Sequence, residues 1–167
     1  MNALIFIFSL ILLIPSISVV GFANGEDVNI SGIYDGLLVT TIEPYAFSGR
    51  NYENITIPSG VTISKRAFYS SNINNLVVNT DSIYSEAFYN ATINNLSIST
   101  KSIGSNEFYG VDDLKVIYFL EGVEEIGDNA FNGANINSIY ISSTVRSIGV
   151  QAFSWRYHNV MTEIKIE

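Results

Sequence analysis

The sequence predicts a repeat solenoid: a right-handed coil of about six turns, with one parallel β-sheet face and short loop or 3-10 segments on the other side. Two observations carry this prediction. A six-residue phrase that opens on Ile and closes on Phe occurs six times, with its Phe residues at intervals of 21, 20, 20, 23 and 22. Each phrase is followed by the short apolar alternation of a half-buried strand. A unit of this length cannot bury its apolar face alone, whereas stacked units bury a continuous core.

The first element stands apart from the repeat. Ala3 to Val20 is nearly all apolar, broken by Ser9, Pro15, Ser16 and Ser18, and Gly21-Phe22-Ala23 offers small residues at the −3 and −1 positions of a cleavage site. Residues 1–23 therefore read as a secretory signal peptide, although no Lys or Arg precedes the apolar run and the first is Arg50. Pro15 and the serines keep the clean apolar stretch below the ~20 residues a membrane span needs, so no span is expected after cleavage. Residues 24–41 follow as an N-terminal half coil, in which Gly32 to Val39 closes the edge of the core. The solenoid proper is expected over 42–167.

The six phrases begin at Ile42, Ile63, Ile83, Ile103, Ile126 and Ile148 and end at Phe47, Phe68, Phe88, Phe108, Phe131 and Phe153. Ala precedes Phe in every copy except the fourth, which has Glu107. The strands are read from the apolar pairs that follow: Ile55 and Ile57, Leu76 and Val78, Leu96 and Ile98, Val116 and Tyr118, Ile139 and Ile141, and later Ile164 and Ile166. Asn74-Asn75 and Asn94-Asn95 precede two of these pairs, where Asn suits a turn entering the strand. Parallel pairing at about 4.8 Å would then stack the Ile and Phe residues into ladders inside the coil.

The phrase I-G-x-x-A-F followed by a short apolar strand resembles the BspA-like leucine-rich repeats of bacterial and protist surface proteins. Ile126-Gly127-Asp128-Asn129-Ala130-Phe131 matches it best, and Ile57-Pro58-Ser59-Gly60-Val61 matches the link between coils. The resemblance covers about Ile42 to Glu167, and it departs at Tyr84, where Gly is usual, and in the lack of Cys after Phe. It implies a leucine-rich-repeat solenoid displayed outside the cell, in adhesion to host or neighbouring cells. With the leader, it places the protein as secreted or on the cell surface.

Composition bounds the chemistry. Sixteen acidic residues against eight basic ones give a net charge of −8. Nucleic acid is not an expected partner, because phosphate neutralisation needs clustered Lys and Arg. Cysteine is absent, which removes disulfides, thiolate metal sites and a cysteine nucleophile. His158 is the only histidine, and neither a Gly-x-Ser-x-Gly elbow nor a phosphate-binding glycine motif occurs. The acidic stretch from Glu107 to Asp128 lacks calcium-loop spacing and reads as solvated loop charge. No catalytic, cofactor-binding or metal site is expected. Four N-x-S/T sequons begin at Asn29, Asn54, Asn90 and Asn95, about the number that so Asn-rich a chain contains by chance.

A solenoid binds on its sheet face or along an edge of it. On the expected alternation the outward residues are Thr56, Val77, Ser97, Ile117, Tyr140 and Lys165, and two residues beyond each lie Pro58, Asn79, Ser99, Phe119, Ser142 and Glu167. Ile117, Phe119 and Tyr140 are therefore the candidate ligand-binding patch. Tyr69, Tyr89, Tyr109 and Trp155 form a second aromatic row, read as structural stacking. The expected role is an extracellular binding or adhesion module for a protein or cell-surface ligand. The alternative is a structural protein that stacks end to end through the open C-terminal edge, where no capping coil follows and Glu163, Lys165 and Glu167 supply the flanking charge. An enzyme built on the scaffold is the third reading.

Overall fold

The computed structural model describes residues 6–8, 16–19, 27–30, 33–34, 37–154 and 163–166; the expected cleavage junction, Trp155 and His158 lie outside them. The described residues form a parallel β-solenoid of strands and turns, with no helix. Its main sheet is built from one long strand per coil: Asn51–Ile57, Asn72–Val78, Thr92–Ile98, Asp113–Phe119, Ile136–Ile141 and Glu163–Ile166. These pair in chain order, and Val28–Asn29 pairs with Asn51–Ile57 at the N-terminal edge. The register is Ile55 to Leu76 to Leu96 to Ile117 to Ile139 to Ile164.

The long strands of coils one to five turn a corner. Tyr52, Ile55 and Ile57 point inward while Glu53 and Asn54, two residues in succession, point out. The same buried positions recur at Ile73, Leu76 and Val78, and at Ile93, Leu96 and Ile98. Asn74-Asn75 and Asn94-Asn95 thus lie inside strands, at the corner, and not in a turn entering them.

The phrases make the opposite side. Their fourth residue is left-handed in all six copies: Tyr45, Arg66, Glu86, Asn106, Asn129 and Gln151, with φ between 55° and 63°. That residue sharpens a six-residue stretch of turn in which Ala46 N–H bonds Glu43 C=O and Ser48 N–H bonds Tyr45 C=O. Consecutive turns form the expected loop segments of this side, and they direct both Ala and Phe inward.

The apolar ladders form as the repeat requires. Rings stack from Phe47 through Phe68, Phe88, Phe108 and Phe131 to Phe153, with centroids 4.6, 4.8, 4.8, 4.9 and 5.5 Å apart. The spacing follows the ~4.8 Å between hydrogen-bonded strands, because each ring rides on its own coil. At the N-terminal end Leu37–Ile42 pairs antiparallel with Ile33–Tyr34 and parallel with Ser16–Val19. Val19 faces Ile42 and is buried, so it extends the Ile column by one position.

Coil four corrects one expectation. Its inward residues are Leu114, Ile117 and Phe119, whereas Val116 is half-buried and Tyr118 is exposed. The alternation read from the sequence is off by one here. Asp112 is an extra residue between Val111, whose N–H closes its turn as Ala91 does in coil three, and Asp113, which pairs with Thr92. One residue of slip exchanges the two faces of a strand.

Candidate binding face

Of the three residues expected to form a patch, the structure leaves one outside. Ile117 is 0% exposed and Phe119 2%, with Phe119 set edge-on to Phe131 and Phe153 inside the coil. Tyr140 faces outward and is half-buried. Its neighbour is Tyr118, which the alternation counted from Val116 assigns to the core. The two rings stack at 4.7 Å with 15° between their planes.

This pair anchors a small polar and aromatic cluster. Tyr140 donates its hydroxyl hydrogen to Glu163 at 3.0 Å, and Lys165 Nζ lies 5.3 Å from the Tyr140 ring centre. Lys165 also pairs with Glu163 at 2.9 Å. The hydrogen bond to Glu163, with burial second, pushes the Tyr140 hydroxyl pKa up. Hydrogen bonds from Lys165 and then from Tyr140 hold the Glu163 carboxyl below its ordinary range. In register order the outward column is Thr56, Val77, Ser97, Tyr118, Tyr140 and Lys165. The step from Ser97 to Tyr118 divides a small-residue half from an aromatic half.

The N-terminal half carries something the sequence reading missed. At the corner, side-chain amides bond coil to coil in two rails. One runs from Asn95 to Asn75 at 2.9 Å, Asn75 to Asn54 at 2.8 Å and Asn54 to Asp27 at 2.7 Å. The other runs from Asn94 to Asn74 at 2.9 Å and Asn74 to Glu53 at 2.6 Å. Both stop where Lys115 and Val116 take the corner in coil four. An amide both donates and accepts, so identical residues one strand apart bond in line. Asn75→Ala removes one donated and one accepted bond, and a loss of about 1–2 kcal/mol is expected in urea unfolding. An unchanged unfolding midpoint would show that the rail is ornamental. Asn54 and Asn95, two of the sequon residues, are engaged in this rail.

The other surfaces offer less. Tyr69, Tyr89 and Tyr109 stack at 6.2 and 6.1 Å, with Arg66 5.9 and 5.7 Å from the first two ring centres. Arg66 and Lys65 both pair with Glu86, at 3.2 and 3.3 Å. An open groove of about 380 Å³ runs over Gly104, Gly127 and Gly149 on the short-strand side. A Cβ on Gly127 would stand 2.9 Å from the Gly104 carbonyl carbon, so glycine is what lets the coils close there. Serines and carboxylates wall the groove. Among the described residues no three His, Cys, Asp or Glu side chains gather to hold a metal ion, and no helix is long and apolar enough to cross a membrane.

A signal for Tyr118 was present in the sequence. Leu114 precedes Ile117 by the interval that separates Ile73 from Leu76 and Ile93 from Leu96, so three inward positions, rather than two, identify the register. Residues 39–160 match the family model described as BspA type leucine rich repeat region, in six copies. No curated protein and no solved structure matches the chain.

Proposed function

The chain belongs to the BspA type leucine-rich repeat family, and from that premise we propose that it is an extracellular binding module that presents its main sheet to a protein or cell-surface ligand. The observation that carries this reading is the outward Tyr118–Tyr140 pair. Two aromatic rings on a rigid sheet lose little entropy on binding, and such anchors dominate protein interfaces. The polar half beside them supplies hydrogen bonding around that centre. Secretion, adhesion and the lack of a catalytic role are parts of the same proposal; the leader-like composition of residues 1–23 and the family's surface association support them.

The test begins with immobilised chain probed against extracellular-matrix and cell-surface proteins. For a partner so found, Tyr140→Ser is expected to cost at least ~2 kcal/mol, close to thirtyfold in affinity, while the melting temperature changes little. Thr56→Ala is the control on the polar half. Equal small losses for both variants would remove the tyrosine pair from the binding face.

A second reading rests on the last coil, where Ile148, Val150, Ile164 and Ile166 are 51, 72, 59 and 78% exposed. Exposed apolar residues gathered on one coil favour stacking of one copy on another. Light scattering across a concentration series, with Val150→Lys as the blocking variant, separates the two readings: a binding module stays one size throughout.

A further inference from the structure

On the short-strand side a repeated set of backbone bonds joins one coil to the next. The N–H that follows each column Ile bonds the Ile carbonyl of the preceding coil: Ser64 to Ile42 at 3.0 Å, Tyr84 to Ile63 at 2.9 Å, Gly127 to Ile103 at 2.8 Å and Gly149 to Ile126 at 2.7 Å. The Phe N–H bonds forward to the carbonyl of the next coil's Ala, from Phe47 to Ala67, Phe68 to Ala87, Phe108 to Ala130 and Phe131 to Ala152. Between coils three and four neither of these two links is made among the described residues, although Glu86 N–H bonds Asn106 C=O at 2.9 Å and Asn90 N–H bonds Gly110 C=O at 2.7 Å across the same seam. Ile83 pairs only back to Ile63, Ser102–Ile103 pairs only forward to Glu125–Ile126, and Phe88 N–H makes no bond to Glu107 C=O.

Two carboxylates stand in this gap. Asp81 Oδ1 accepts the Lys101 N–H at 2.8 Å. The Glu107 carboxyl folds against Gly104 where a Cβ would stand, close enough for the Gly104 N–H to act on its charge. Glu107 occupies the column held by Ala46, Ala67, Ala87, Ala130 and Ala152 and is 6% exposed. Its Oε2 is buried with no hydrogen-bond partner.

We propose that the seam between coils three and four is a pH-operated slot, closed while Glu107 keeps its proton and opened from the short-strand side when the carboxyl ionises and moves to water. An ionised oxygen buried without a partner costs more than the nearby Gly104 N–H returns. Burial, opposed by the Gly104 N–H and reinforced by the charge of Asp81, raises the Glu107 pKa to about 7. In the open or unfolded chain the same carboxyl ionises near pH ~4.3. Below that value both forms are protonated and the closed seam has its full stability; as pH rises through about 7 that stability is lost.

Two other carboxylates near the seam are engaged elsewhere. Glu86 on coil three pairs with Lys65 and Arg66, and Asp128 on coil five accepts the Val150 N–H on its far side. Lys101 on coil four contributes its backbone N–H to Asp81. The opening is local, because Thr92–Ile98 stays paired with Asp113–Phe119 and Phe88 stays stacked on Phe108. The seam lies behind the step from Ser97 to Tyr118, so its state bears on how the two halves of the main sheet align. The proposal does not rest on what that sheet binds.

Amide hydrogen exchange tests it, with the Gly127 N–H as the internal reference. Between about pH 5.5 and about pH 8.5, protection of Gly104 relative to Gly127 is expected to fall roughly tenfold or more. Glu107→Gln keeps an acceptor for Gly104 and does not ionise, so its ratio should stay flat with pH. Glu107→Ala, with the residue of the other five coils, gives the same test if the Gln variant folds poorly. Parallel behaviour of Gly104 and Gly127 in the parent would overturn the proposal, as would the parent's pH response persisting in either variant.

Discussion

Phe88→Ala is expected to cost about 3–5 kcal/mol in equilibrium unfolding, the range for deleting a fully buried ring. Phe88 is 0% exposed and stacks on Phe68 and Phe108, at 4.8 Å on each side. The cavity has little way to close. Collapse would need coils two and four to approach each other, and their separation is set by the paired strands Asn72–Val78, Thr92–Ile98 and Asp113–Phe119. The adjacent ring supplies the control. Tyr89 also stacks on its neighbours, at 6.2 and 6.1 Å, but it is only half-buried, and Tyr89→Ala should cost roughly 1 kcal/mol. Urea unfolding of both variants decides the matter. A larger loss for Tyr89→Ala would mean that the tyrosine row, and not the phenylalanine row, holds the coils together.

Ile117→Ala should destabilise by about 2–5 kcal/mol, while Tyr118→Ala next to it should cost under about 1 kcal/mol. Ile117 is fully buried between Leu96 and Ile139 in the main sheet. Tyr118 is 37% exposed, and its ring contact is with Tyr140 on the outer surface. The alternation expected from the sequence predicts the reverse order, with Tyr118 inside. Thermal melts of the two single variants therefore test the strand register directly. Equal losses would point to a strand in coil four that does not keep one face buried.

Coil four shows where the sequence is legible and where it is not. The Phe intervals announce the repeat because every coil must return to the same ladder, and a ring in any other place would meet no partner. The interval from Phe108 to the next strand is longer by one residue, Asp112, and a pattern of two apolar residues fits Val116 and Tyr118 as well as it fits Ile117 and Phe119. Only the third inward position, Leu114, removes the ambiguity. The amide rails were hidden for a different reason. Asn-Asn is common turn chemistry, and its use here depends on two outward residues in succession at a corner, which period-2 reasoning does not anticipate.

Glu107 belongs to the same class. The sequence marks it as the one departure from Ala in its column, but not as the buried carboxyl folded against Gly104 where two ladder bonds are missing. By itself, then, the sequence determined the solenoid, its six coils, the Ile and Phe columns and the family. The first three follow from periodicity, a property of the chain alone, and the family from the wording of the I-G-x-x-A-F phrase. Tertiary structure decided which face of coil four is inside, what the asparagines bond to, and where two of the repeated coil-to-coil bonds are missing. Each of these depends on the residue one coil away, about 20 positions along the chain, and pairing across that distance is set by stacking rather than by local preference.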